Sequence, residues 1–363
     1  MTIIYELARA HKARGGETSV VVSAGTRHDY DVGRCIEVGS RGRLPSRPAA
    51  ALDALAGRFG LPRLATAARF KASCDAVEDG FAGAVFVHNA PAALPYLAAG
   101  HPSAMTCLYA HNDLFRTYSP REMRRMLRPA HRVICVSEFI ADRLVHRAGV
   151  RLPSVKPVLN GVDTEMFRPA DRPLGEPPGD PEAPLVLFVG RVKPEKGPDL
   201  LIRAAVRLRD RCQFRLRIVG SSGFSASDPL TEYERQLRRL ATPLRDRVEF
   251  LPFVGRREVV EQYRSASLLC LPSNWDEPCG LTVLEGLACG LPMVVARRGG
   301  IPEVGQEAVE YFSPPDLGGL TDRLEWLLHD EAARTSLAAR ARARAEQLSW
   351  ARQYEALVEA LDH

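Results

Sequence analysis

The chain has 363 residues, 45% hydrophobic and 26% charged, a composition that excludes a disordered chain and suits two α/β domains of roughly 150–200 residues each. Its net charge of +5 comes without any long basic run, which excludes nucleic acid as the expected partner but suits a positive cleft for a phosphorylated substrate. No apolar run approaches the ~20 residues of a membrane span, so the protein is expected to be soluble, at most peripheral to a membrane.

The chain opens on "MTIIYELARAHKARGG", an amphipathic helix over Ile3–Arg14 with charges inside it, unlike a signal peptide. Short β-branched runs then alternate with helical patterns, the signature of parallel α/β layers. In the first half the expected strands are Ser19–Ser23, Ala84–His88, Ala104–Ala110 and Arg132–Ser137. In the second half they are Leu185–Gly190, Arg215–Val219, Val248–Leu251, Leu268–Pro272 and Met293–Ala296. The expected domains are residues 1–160, a linker at 161–183 rich in Pro, Gly and Asp, and residues 184–345. Residues 346–363 form a last helix, with Trp350 and Tyr354 placed to fold back on the first domain.

A doubly wound domain normally begins with a strand and a glycine-rich turn before its first helix. Here the helix comes first. The first strand and glycine loop are absent from the pattern, and the simplest expectation is a natural start upstream of Met1; a variant lacking the loop is the alternative. The eight cysteines form no Cys-x-x-Cys pair, and most sit in apolar runs such as "VICVS" and "LLCLPS". They are expected to be buried free thiols in a reducing cytoplasm.

Two stretches carry the chemistry. In "LFVGRVKPEKG", Arg191 and Lys196 follow directly on a strand end, where groups of an open α/β sheet point into the ligand crevice. A guanidinium and an ammonium there suit a diphosphate whose charge grows as it leaves; two solvated surface cations are the plainer alternative. In "NWDEPCGLTVLEGLACGLPMVVARRGGIPE", Gly280, Leu281 and Thr282 open a helix whose free amides and positive end suit a diphosphate. Glu277 before that start and Glu285 after it are placed to clamp hydroxyls on its two sides. Alone, this spacing fits a surface glutamate pair equally well. Trp275 and Asp276 suit a sugar contact or simple loop packing.

Together with "NGVDTEMFRP", "FLPFVGRREVVEQYRSASLLCLPS" and "GGIPEV", these stretches resemble the retaining glycosyltransferases of the GT-B fold, in particular glycosyltransferase family 4, over nearly the whole chain from Ile4 to Ala356. The resemblance implies an α/β fold of two Rossmann-like domains with parallel sheets facing across a cleft. It implies that Arg191 and Lys196 hold the diphosphate, Glu285 the ribose and Glu277 the donor sugar. The backbone at Phe253 and Val254 would receive the nucleobase, and Gly299 and Gly300 would line the donor end. His111 in "CLYAHNDL" matches the histidine that touches the donor sugar, while His88 in "VFVHNAP" fits a more acceptor-facing position or a structural role. Ser137 borders the cleft and contacts the donor or a helix end.

The implied reaction transfers a hexosyl or N-acetylhexosaminyl group from a nucleoside-diphosphate sugar, with UDP as the nucleotide. Catalytic roles fall on His111, Arg191, Lys196 and Glu277, with no cofactor and no metal. The acceptor is a hydroxyl of a small molecule or glycan. An Arg- and Ala-rich composition fits a GC-rich bacterium, hence antibiotic biosynthesis such as aminoglycoside glycosylation, or envelope glycan synthesis. The rivals are an epimerase or hydrolase on the same fold and an inactive sugar-nucleotide-binding protein. A nicotinamide dehydrogenase is disfavoured because no G-x-G-x-x-G follows a strand.

Overall fold

In a computed structural model of the chain, the described residues are 2–25, 32–39, 47–59, 61, 63–149, 155–171, 174 and 183–362. They form twelve strands: β1 (Ser19–Ser23), β2 (Arg34–Val38), β3 (Ala84–His88), β4 (Met105–Ala110), β5 (Arg132–Cys135), β6 (Val155–Pro157), β7 (Leu185–Val189), β8 (Arg215–Val219), β9 (Val248–Leu251), β10 (Leu268–Leu271), β11 (Met293–Ala296) and β12 (Glu310–Phe312). Every ladder is parallel.

The chain divides into two compact units. One comprises Met1–Asn160 with Trp350–His363, the other Gly161–Ser349. The stretch expected as a linker therefore begins inside the second unit. Val162 bridges to Ser349 and Phe167 is fully buried there; residues 172–173 and 175–182 lie outside the described residues.

The second unit holds a six-stranded sheet in the order β12-β11-β10-β7-β8-β9, the doubly wound arrangement whose direction reverses between its first and fourth strands. Here that switch point lies between β7 and β10. Residues of β7, β10 and β11 are buried throughout, as expected for strands covered by helices on both faces. Apolar residues of the helices Pro198–Leu208 and Leu317–His329 complete one core with Val186, Phe188, Leu268 and Val294.

The first unit holds β3-β4-β5-β6 as one sheet and β1-β2 as another. Among the described residues no ladder joins them, and the doubly wound order would place a further strand between two such groups. The helix Thr2–Lys12 packs against the helix Trp350–Asp362. His11 Nδ1 lies 2.5 Å from the Tyr354 hydroxyl, and Arg14 pairs with Glu355 at 2.6 Å. All eight cysteines are free, and Cys35 alone among them is exposed.

Candidate functional site

The loops that leave β7 and β10 at the switch point are tied to each other. Gly197 adopts φ +69°, and a Cβ there would lie 2.0 Å from the Pro272 carbonyl oxygen, so only glycine allows the close approach. The Asn274 amide donates to the Glu195 carbonyl at 2.9 Å. This docking brings the Lys196 ammonium onto the Glu277 carboxylate as an ion pair. Both side chains are largely covered, 23% and 13% exposed respectively, where solvent screens an ion pair less than at the surface. Ser273 Oγ lies 2.9 Å from the same Glu277 oxygen.

The Glu277 loop is fixed from behind by Gly299 and Gly300. Gly299 has φ +57°, and a Cβ on it would sit 2.2 Å from the Glu277 carbonyl oxygen. The Gly300 amide donates to that oxygen at 2.7 Å. Arg191, between Gly190 and a Val192 amide bonded to the Ser221 carbonyl at 2.9 Å, has no ion-pair partner among the described residues. Its guanidinium is thus available to an anion.

The helix Leu281–Ala288 starts at Gly280, φ +78°. Its first backbone hydrogen bonds run from the Val283 and Leu284 amides to the Gly280 carbonyl. The amides of Gly280, Leu281 and Thr282 have no acceptor among the described residues, as at an uncapped helix start, and the positive end of the helix attracts an anion to them. One turn on, Glu285 accepts a hydrogen bond from the Tyr263 hydroxyl at 2.8 Å. Burial pushes the Glu285 carboxyl up, while the Tyr263 bond and the Arg256 charge oppose that rise. Tyr263 is fully buried on the helix Arg256–Arg264, so the carboxylate it holds is fixed in direction.

Beyond β9, the Phe253 amide donates to Ser221 Oγ at 3.0 Å. The next residue, Val254, has neither its amide nor its carbonyl bonded among the described residues. The Phe253 ring meets Phe224, from the loop after β8, edge to face at 6.3 Å. Phe224 is 74% exposed, an uncommon position for an apolar ring and one suited to covering a flat ligand.

In the first unit, His88 ends β3 and His111 follows β4, and the β3–β4 register sets them side by side. His88 Nδ1 lies 2.7 Å from His111 Nε2, and the two ring planes are within 3° of parallel. Tyr109 lies beneath, its ring 4.6 Å from His111 and 5.4 Å from His88. Asn89, at φ +56°, presents its side-chain oxygen to the His111 amide at 2.8 Å. Burial pulls the His111 imidazole down to about 4; burial and then the His111 charge pull His88 down to about 3. Both rings are neutral at pH 7 and share a single hydrogen bond. His111 Nδ1 is buried without a hydrogen-bond partner among the described residues. Ser137 is a helix cap: its Oγ accepts from the Ile140 amide at 3.3 Å.

Among the residues singled out from the sequence, Lys196 and Glu277 meet directly, and Glu285, Gly280, Leu281 and Thr282 lie on the helix that follows Glu277. His111 belongs to the other unit. Sequence reading did not find Tyr263, Ser273 or Phe224. Tyr263 sits in "VVEQYRS", where an apolar helix face explains it equally well, and nothing local marks it as the partner of Glu285.

A family model described as Glycosyl transferases group 1 matches residues 175–344, and one described as Glycosyltransferase Family 4 matches residues 2–166. Between them they account for most of the chain. The chain belongs to this family of glycosyltransferases. It is 35% identical, over 63% of its length, to a D-inositol 3-phosphate glycosyltransferase of Saccharomonospora viridis. It is 27% identical, over 76% of its length and 76% of the relative, to spore coat protein SA of Bacillus subtilis. The chain spans about half, 55%, of the first of these relatives. Among solved structures it is similar to Anabaena HepE in complex with UDP and glucose, with TM-score 0.71 and 18% identity over 99% of this chain and 95% of that one. It is also similar to sucrose-phosphate synthase from Thermosynechococcus elongatus, with TM-score 0.72 and 20% identity over 98% and 91%. The fold is accordingly GT-B, with two Rossmann-like units built on parallel sheets.

Proposed function

We propose that the protein is a retaining glycosyltransferase that moves a hexosyl or N-acetylhexosaminyl group from UDP to a hydroxyl of a small molecule or glycan. The observation that carries the reading is the Lys196–Glu277 ion pair at the β7/β10 switch point. A cation suited to phosphate and a carboxylate suited to sugar hydroxyls meet where a nucleotide-sugar changes from diphosphate to sugar, which is its scissile bond.

In this reading Arg191, Lys196 and the Gly280–Thr282 amides hold the diphosphate, and Glu285, fixed by Tyr263, takes the ribose hydroxyls. The free Val254 backbone and the Phe224–Phe253 pair take the uracil. Donor binding draws Lys196 from Glu277 toward the β-phosphate and frees the carboxylate for the sugar. The bond from the anomeric carbon to the β-phosphate oxygen breaks as that carbon bonds the acceptor oxygen on the same face. The acceptor's proton passes to the departing β-phosphate oxygen, whose growing charge is matched by preorganised donors. No metal is required in this scheme. Neutral His111, oriented by His88, supplies an uncharged imidazole to the step. The match to D-inositol 3-phosphate glycosyltransferases favours a cyclitol among small acceptors, in keeping with a place in antibiotic or envelope glycan synthesis in the cytoplasm.

A thermal-shift screen of UDP-, GDP-, ADP- and dTDP-sugars identifies the donor, since a ligand that binds the folded chain raises its melting point. Incubation of that donor with and without candidate acceptors then decides the reaction. Transfer with the anomeric configuration kept supports the proposal. Nucleotide release without any acceptor points to the hydrolase or epimerase instead, and binding without turnover to an inactive protein.

A further inference from the structure

The amino ends of the second sheet's strands, opposite the end that holds the switch-point loops, carry a cluster that the proposed transfer does not use. The helices Pro198–Leu208 and Leu317–His329 each run back from a strand's carboxyl end, so both finish at the strands' amino ends. Cys212 follows the first of these helices and precedes β8. Glu325 and His329 lie four residues apart on the second, and therefore on one face. Cys212 Sγ is 3.3 Å from His329 Nε2, and one ligand atom from each of the three residues lies within 4.8 Å of the others.

We infer that Cys212, Glu325 and His329 form a binding site for a zinc-class divalent cation, clamping the end of one helix to the end of its neighbour. Sulfur, imidazole and carboxylate together are the donor set of zinc, not of magnesium or calcium. With the thiol deprotonated, two anions and a neutral imidazole balance the charge of a divalent ion. That balance matters because cations already stand nearby: Arg211 pairs with one Glu325 oxygen, and Arg247 donates to the Cys212 carbonyl at 3.2 Å.

Glu325 offers one carboxylate oxygen to the metal. Zinc bonds of about 2.0–2.3 Å in tetrahedral geometry put ligand atoms about 3.3–3.8 Å apart, so the sulfur and nitrogen stand close to their final separation. Cys212 is 4% exposed and anchored in the core with Leu208, Phe214 and Leu324. Burial, and after it the Glu325 charge, push its thiol up; a bound cation reverses that preference, as it must for thiolate ligation. His329 is exposed, which leaves the fourth position to water. The cluster stands at the opposite end of the strands from Lys196 and Glu277, so it takes no part in the transfer proposed there.

Cobalt(II) titration of the full chain tests the site, because thiolate ligation gives cobalt a ligand-to-metal charge-transfer band. One equivalent should produce the band, zinc should abolish it, and magnesium should leave it unchanged. Cys212→Ser should remove the band, and a Cys35→Ser control should keep it. His329→Ala should weaken binding by more than about tenfold, since even outer-shell partners of metal sites reach that scale. This change, at an exposed position, decides the matter if Cys212→Ser fails to fold. Absence of a band in the wild type, a band that survives Cys212→Ser, or equal affinity in His329→Ala would overturn the inference. Zinc should also raise the melting temperature of the wild type but not of His329→Ala.

Discussion

The Tyr263 hydroxyl points at the Glu285 carboxylate from 2.8 Å, and no other side chain among the described residues is hydrogen-bonded to that carboxylate. Tyr263→Phe keeps the ring and removes the donor. A hydrogen bond of this kind contributes about 1 kcal/mol to the fold, so stability should fall by about that much, and nucleotide affinity should fall by up to about fivefold as the carboxylate loses its fixed direction. Calorimetric titration with UDP checks this. An unchanged affinity would separate Glu285 from the nucleotide.

The Lys196–Glu277 pair predicts two different phenotypes from its two halves. Lys196→Ala should cut kcat by roughly 10²–10³, the scale for losing one donor to a developing oxyanion, and should weaken UDP itself. Glu277→Gln should leave UDP bound at least as tightly, because it releases Lys196, yet should lower kcat/KM for the sugar donor. Equal losses of UDP affinity in both variants would place Glu277 on the phosphates rather than on the sugar.

Gly299→Ala forces a Cβ against the Glu277 carbonyl at a positive φ. The left-handed conformation alone costs an alanine roughly 1–2 kcal/mol. The Glu277 backbone must also move, and a shift of about 1 Å in a positioning group costs on the order of 10²-fold in rate. Turnover should collapse while UDP binding persists. Steady-state kinetics beside a binding titration reads both.

The histidine pair predicts a specific acid sensitivity. Both rings have lowered values in the folded chain, about 4 for His111 and about 3 for His88, against about 6.5 when unfolded. Below pH 6.5 the unfolded chain binds protons that the folded chain does not. The stability these rings allow is therefore whole above pH 6.5 and is lost as pH falls toward 3, by at most about 1.4 kcal/mol per pH unit for each ring. Melting curves from pH 7 to pH 5 should drop more steeply for wild type than for His88→Asn. Parallel curves would show that the pair does not titrate as its burial implies.

The strands read from sequence appear in the structure, and those it missed share one property. Among the described residues β2, β6 and β12 each pair with a single neighbour, and they are partly exposed. Such edges need few apolar residues, so "RCIEV", "VKP" and "EYF" carry little of the pattern that marks a buried strand. Arg191, Lys196 and Glu277 were legible because strand ends and helix starts are local features with local signals.

Sequence alone determined the α/β alternation, the family, and the loops and helix start that carry the groups proposed to hold a diphosphate, because each depends on residues within a few positions of one another. Tertiary structure alone decided which of those groups meet. Lys196 pairs with Glu277 across two docked loops, Tyr263 holds Glu285 from a separate helix, and His88 turns to His111 across a strand register. The zinc-class cluster is the extreme case, for Cys212 lies far along the chain from Glu325 and His329. No spacing rule finds such contacts: packing sets them, and packing brings together residues that the chain order keeps apart.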